Sequence, residues 1–194
     1  MGPKQKAYYV HHDLLRQKSS YFRHILPKIY WPEEDPKAVE IMSEWMYRGS
    51  LDRQVLEWKD SRRMLPRVFQ LAHWKRLPGL HNIMIDIWRE DLDQAGEYPH
   101  PDTLGDIYRR GLSGTPVHAF ILKKIVYCMM TDKKHWQAGS QEFEDLYTTC
   151  SEEDSFTKDL LREIMAYQNE PYPDPASGRG CHFHVHTDGS PCKT

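Results

Sequence analysis

The 194-residue sequence predicts an α+β fold that is mostly helical. Three observations carry that expectation. Ala7-Tyr8-Tyr9-Val10-His11 is short, aromatic and β-branched, the composition of a strand. Beyond residue 12, apolar residues recur three and four apart, the period of a helix face. Two pairs, Asp35-Pro36 and Thr115-Pro116, join a capping side chain to a proline at the first helical position, where its missing N–H loses no bond.

The elements follow in order. Asp13 suits the N-cap of a short helix through Leu14 and Leu15, and Ser20 that of a second carrying Tyr21, Phe22, Ile25 and Leu26. Ile29-Tyr30-Trp31 reads as one more very short strand. Asp35-Pro36 opens a helix with Val39, Met42 and Met46 on one face, widened by Ile41 and Trp45. Gly49 fits its left-handed stop. Two further stripes, Leu65-Val68-Phe69-Ala72 and Leu80-Ile83-Met84-Ile87-Trp88, are separated by a break at Pro78-Gly79. Ala95 to Pro101 reads as a linker. A second helical block begins with Leu104, Ile107 and Tyr108 and stops at Gly111. Thr115-Pro116 opens the most regular helix, with Val117, Phe120, Ile121, Ile125, Cys128 and Met129 on one face and Lys123 and Lys124 opposite. Phe143, Leu146, Tyr147 and Cys150 mark a short helix, and Ser155 is placed to cap a last one carrying Phe156, Leu160 and Ile164. Pro171, Pro173 and Pro175, with Gly178 and Gly180, read as an extended, loosely structured spacer.

Composition bounds the function. A formal charge of -2 gives no general attraction to nucleic acid or acidic membranes. A hydrophobic content of 39% supports a packed core. No run approaches the ~18–20 apolar residues that span a bilayer. Four cysteines without an apolar signal core point to a reducing, intracellular compartment, cytoplasmic or nuclear.

Several segments of the first fifty residues form an ordered set: Tyr8-Tyr9-Val10-His11-His12-Asp13-Leu14-Leu15, Ser19-Ser20-Tyr21-Phe22, Trp31-Pro32-Glu33-Glu34-Asp35-Pro36 and Trp45-Met46-Tyr47-Arg48-Gly49. That order resembles the BTB/POZ domain in the form common in fungal proteins. The segment Leu71-Ala72-His73-Trp74-Lys75-Arg76-Leu77-Pro78-Gly79-Leu80 resembles the paired helices that close that domain. The resemblance implies a small sheet flanked by helices, a C-terminal helical extension, and a protein-interaction module rather than an enzyme. It also implies that Met1-Gly2-Pro3-Lys4 stands where the family has a turn after its first strand, so the chain would begin inside the domain. The loop between Leu26 and Ile29 is shorter than the family's. The expected organisation is a BTB/POZ-like domain over 1–94, a linker over 95–102, a helical extension over 103–170 and a spacer with a Cys/His tail over 171–194. Partners would be other proteins, the chain itself included. A minor alternative carried by the resemblance is a substrate adaptor of a cullin-type ubiquitin ligase.

The tail offers a different class of function. Cys181-His182-Phe183-His184-Val185-His186 is followed by Asp188-Gly189 and Cys192. These are zinc-type ligands. If residues 181–186 are extended, His182, His184 and His186 share one face. A site of Cys181, His184, His186 and Cys192 instead needs the chain to turn, and Asp188-Gly189 supplies a turn. Against these stands a strand or flexible tail whose Cys pair, Cys181 and Cys192, is free or forms one disulfide bond.

Other candidates read as structural. His11 sits at a strand-to-helix junction, where a histidine satisfies backbone groups. Cys128 lies on a core face and reads as an inert thiol, and Cys150 is similar. Lys59, Arg62, Arg63, Arg67, Lys75 and Arg76 form a local basic cluster without interleaved aromatics on the same face, which reads as a solvated helix surface. Glu33, Glu34 and Asp35 fit helix capping better than carboxylate catalysis. No dinucleotide, phosphate-loop, metalloprotease or nucleophile-elbow motif is present.

Overall fold

The computed structural model describes residues 7–24, 30–51, 58–96, 98–177 and 180–186. Those residues form eight α-helices and one 3-10 turn: α1 His12–Lys18, the 3-10 turn Ser20–His24, α2 Pro36–Arg48, α3 Trp58–Trp74, α4 Pro78–Ala95, α5 Pro101–Arg109, α6 Pro116–Thr131, α7 Gln141–Glu152 and α8 Asp154–Asn169.

The expected α+β class is corrected, because no strand is found among the described residues. Residues 7–11 do alternate between exposed and half-buried, as a strand would. What they lack among the described residues is a second strand. Tyr8 gives its hydroxyl proton to the Pro36 carbonyl at 2.5 Å, and the His11 N–H donates to the Tyr47 hydroxyl at 3.0 Å. The segment is thus extended but tied to α2, with no inter-strand ladder among the described residues. Tyr30 and Trp31 are likewise outside any strand. Ile29 and the short loop before it lie outside the described residues.

The chain divides into two compact units, 1–84 with 184–194, and 85–183. The division falls inside α4, which gives its first two turns to the first unit and the rest to the second.

In the first unit α2 packs on both α1 and α3. Ile41, Met42 and Met46 of α2 and Val68, Phe69 and Leu71 of α3 are fully buried. Asp35 caps α2 by accepting from the Lys37 N–H at 2.8 Å, and Gly49 ends it at φ 72°. The expected cap at Asp13 is corrected: the N-cap position of α1 is His11, two residues earlier, and Asp13 lies in its first turn. The hydroxyl of Ser19, rather than that of Ser20, accepts from the Tyr21 N–H at 3.0 Å.

The break before α4 comes earlier than Pro78-Gly79. Arg76 takes a left-handed φ of 51°, its N–H reaches the His73 carbonyl, and the Leu77 N–H reaches the Ala72 carbonyl. That is a Schellman stop with the apolar Leu77 fully buried just after it. Pro78 is then free to be the first residue of α4. Gly79 is inside the helix for a steric reason: a Cβ there would stand 2.8 Å from Trp45 Cζ2.

The second unit repeats the device at the end of α5. Gly111, at φ 68°, and the buried Leu112 bond the Tyr108 and Ile107 carbonyls. Helices α5, α6, α7 and α8 pack on one another around Leu104, Ile107, Phe120, Ile121, Ile125 and Phe156. Thr115 caps α6, as Thr115-Pro116 predicts. The cap of α7 is Ser140, and α8 begins at Asp154, so Ser155 lies within α8. Lys124 is not on a solvent face. Its side chain is 4% exposed and its ammonium meets Asp174 at 2.6 Å. The proline-rich segment is therefore packed: Pro175 and Ala176 are buried, and Tyr172 donates to the Lys123 carbonyl at 3.2 Å.

Gly79→Ala opposes two effects. Alanine gains up to ~1 kcal/mol of helix propensity, but its methyl meets the buried indole of Trp45. Because the ring is enclosed, the clash wins, and we expect a loss of ~1–3 kcal/mol. Urea unfolding followed through tryptophan fluorescence measures it. An unchanged or raised midpoint would show that the ring yields freely.

Candidate functional site

The tail residues fall in both units. Cys181 and the buried Phe183 belong to the second, and His184 and His186 to the first. Cys192 and the Asp188-Gly189 turn lie outside the described residues. His182 and Phe183 form a turn, so the single extended strand that a three-histidine site requires is not formed. The His184 and His186 rings are 6.2 Å apart. Among the described residues, no group of three or more His, Cys, Asp or Glu side chains is arranged to hold a metal ion.

What the first unit does build is a clamp on Val185. The Asn82 side-chain amide donates to the Val185 carbonyl at 3.1 Å, and its oxygen accepts from the Val185 N–H at 2.7 Å. His81 Nδ1 is 3.4 Å from the same Asn82 oxygen. Nδ1 therefore carries the proton, and Nε2 keeps a buried lone pair with no hydrogen-bond partner among the described residues. The His81 ring meets Phe69 edge-on at 5.2 Å. Burial pushes the His81 pKa down to about 4. The Asn82 bond opposes that shift, while His184 and His73 add to it. No spacing rule marks Asn82. Its only trace in the sequence is a polar residue inside an apolar helix.

The same unit encloses a cation. Lys75 is 4.9 Å from the centre of the Trp31 ring and 5.1 Å from that of Tyr21, and it pairs with Glu34 at 2.9 Å. The Ser19 hydroxyl donates to the Lys75 carbonyl. Arg67 pairs with the Asp35 carboxylate that caps α2. Two members of the basic cluster are thus neutralised by the acidic run before α2. Arg76 is exposed, and the side chains of Lys59, Arg62 and Arg63 lie outside the described ones. His11 Nδ1 lies 2.8 Å from the Tyr47 hydroxyl, so its ring serves a side chain rather than the backbone.

The second unit holds a polar chain across three helices. Gly114 N–H donates to His118 Nδ1 at 3.3 Å, which leaves the proton on Nε2. Nε2 lies 2.5 Å from the Tyr108 hydroxyl, and that hydroxyl donates to Asp159 at 2.7 Å. Burial raises the Tyr108 pKa, with Asp159 adding to it, and burial lowers that of His118. The phenol stays protonated and the imidazole neutral, each locked as a link rather than poised as acid or base. Cys128 is also inert, since burial lifts its thiol to about 11. Burial raises the Cys150 pKa in the same sense.

The exposed large apolar side chains of this unit are on α7 and α8. Leu161 and Met165, one turn apart, are 56% and 63% exposed, and Tyr147 on α7 is 64% exposed. The expected stripe on α8 was Phe156, Leu160 and Ile164. Phe156 and Leu160 are buried and Ile164 is half-buried, so Leu161 and Met165 form a separate outward row that the helical period did not single out. No helix of the described residues is long and apolar enough to cross a membrane.

No protein-family model, curated protein or solved structure matches the chain.

Two outcomes test these networks. Between pH 6.5 and 4 the unfolded chain holds a proton on residue 81 that the folded chain refuses. Stability must then fall as the pH drops through that window, by about 3 kcal/mol if the full shift is realised. His81→Leu should flatten this part of a urea-midpoint profile against pH; an identical slope in both proteins would remove His81 from the account. Tyr108→Phe should cost ~1–3 kcal/mol, because it strands the buried Nε2–H of His118 and removes a bond to the half-buried Asp159. Calorimetry would contradict the chain if the variant melted like the parent.

Proposed function

We propose that this chain is a protein-interaction module that binds through side-chain surfaces on its helices. The observation that carries the reading is the outward row of Leu161 and Met165 on α8, together with the exposed Tyr147 on α7. An aromatic ring and two flexible apolar side chains, exposed on two helices that pack on each other, have the composition found at interface centres. Lys158 and Arg162 are exposed on the same helix and furnish a polar rim.

The likeness of the first fifty residues to BTB/POZ sequences supports the same class of function, through the helical part of the pattern only. Homotypic association is the first form to test. Light scattering on the purified chain should give a dimer mass that falls to a monomer with Leu161→Lys and Met165→Lys, while the melting temperature stays within about 2 °C of the parent. Surface changes of this kind leave stability nearly untouched. A parent that is monomeric at all concentrations, or a dimer indifferent to both changes, would overturn the homotypic reading.

A further inference from the structure

The Asn82 clamp is a recognition device of a particular kind. In an extended residue, N–H and C=O point to the same side, and a neighbouring strand reads both. A primary amide carries the same donor and acceptor pair on one rigid plane. Asn82 uses both atoms on one residue, at 3.1 and 2.7 Å. Its amide is held in the productive orientation by His81, whose Nδ1–H faces the Asn82 oxygen from the buried side of α4. Such contacts read main chain and not side chain. Asn82, His184, Val185 and His186 are all half-buried, so the seated segment lies at the surface of the first unit rather than within its core.

We infer that Asn82, oriented by His81, forms a main-chain-reading peptide site on α4, and that its ligand is the His184–His186 segment, seated in cis here and exchangeable with the same segment of a second copy. The inference goes beyond the interaction reading above and uses different residues from the α8 row. A tethered segment competes at an effective concentration near the millimolar range. A free peptide should therefore bind the intact chain weakly and bind a chain with a released tail far better.

Val185→Pro in the full chain supplies that release. It deletes the N–H that Asn82 reads and leaves the clamp itself unaltered. The probe is a fluorescent peptide covering residues 180–186 and carrying Cys181→Ser. Fluorescence anisotropy should show at least about tenfold tighter binding to Val185→Pro than to the parent. Adding Asn82→Leu to that variant should abolish the gain, and N-methylation of the peptide at Val185 should abolish it again. Hydrogen exchange on the same samples should show faster exchange of residues 184 and 186 in Val185→Pro. Equal peptide affinity for parent and variant, equal affinity of the N-methylated peptide, or unchanged exchange would each overturn the proposal. None of these readouts depends on Leu161 or Met165, so this inference and the α8 reading fail separately.

Discussion

Lys75 is the residue on which the first unit depends. It is nearly buried, and a desolvated ammonium is costly unless its surroundings replace water. Trp31 and Tyr21 present ring faces, and Glu34 supplies the countercharge. The partners come from two pieces of chain, Tyr21 from the 3-10 turn and both Trp31 and Glu34 from the segment before α2, and they meet at the residue just past α3. The Ser19 hydroxyl adds a bond to the carbonyl of the same residue. A cation–π contact out of water is worth ~2 kcal/mol, but the larger effect is geometric. Lys75 can be neutralised only if the turn and the acidic run both come to the end of α3. The left-handed Arg76 and buried Leu77 then send the chain directly into α4. Asn82 follows one turn later, so the clamp inherits its position from that stop.

The second unit relies instead on a polar chain. Tyr108, His118 and Asp159 form a directed chain from α6 through α5 to α8, with each proton assigned by the bond before it. A His-Tyr-Asp arrangement invites a catalytic reading. The directions of the shifts argue otherwise, because a phenol pushed up and an imidazole pushed down are further from neutral-pH proton transfer than free side chains. Lys124 and Asp174 are the charged counterpart, fixing the proline-rich segment to α6. Networks of this sort specify one packing only when every member is satisfied.

Much of the helical order was legible in the sequence because caps are local. Asp35-Pro36, Gly49, Thr115-Pro116 and Gly111 act through bonds to residues two to five positions away, so their chemistry is written beside them. The errors are non-local. Residues 7–11 have the alternation of a strand and remain extended, yet a sheet needs a second segment, and their own residues cannot show that α2 takes its place. Lys124 lies opposite the apolar face of its helix and is buried all the same, because its partner Asp174 comes from fifty residues away. Ile85 and Arg89 fall outside the apolar stripe of α4 and are buried nonetheless. The tail was read through its Cys and His side chains. What the fold uses at Val185 is its peptide group, which no residue-type pattern can display.

That last point bears on how an all-helical module could bind an extended chain. A sheet edge offers unpaired N–H and C=O groups, and a partner strand can add to them. A helix consumes those groups internally except at its ends. Among the described residues no edge exists, so main-chain recognition must come from a side chain that imitates a peptide unit. Asparagine is a compact side chain with both atoms in the right relation, and a surface asparagine would waste that property by rotating. Asn82 does not rotate freely, because the neutral, buried His81 holds its oxygen. The low imidazole pKa therefore has a consequence beyond stability. Protonation at Nε2 would place an unpaired charge beside Phe69 in the core. The clamp is thus built for a neutral histidine, and its hold on the tail must weaken under the acidic conditions that destabilise the unit itself.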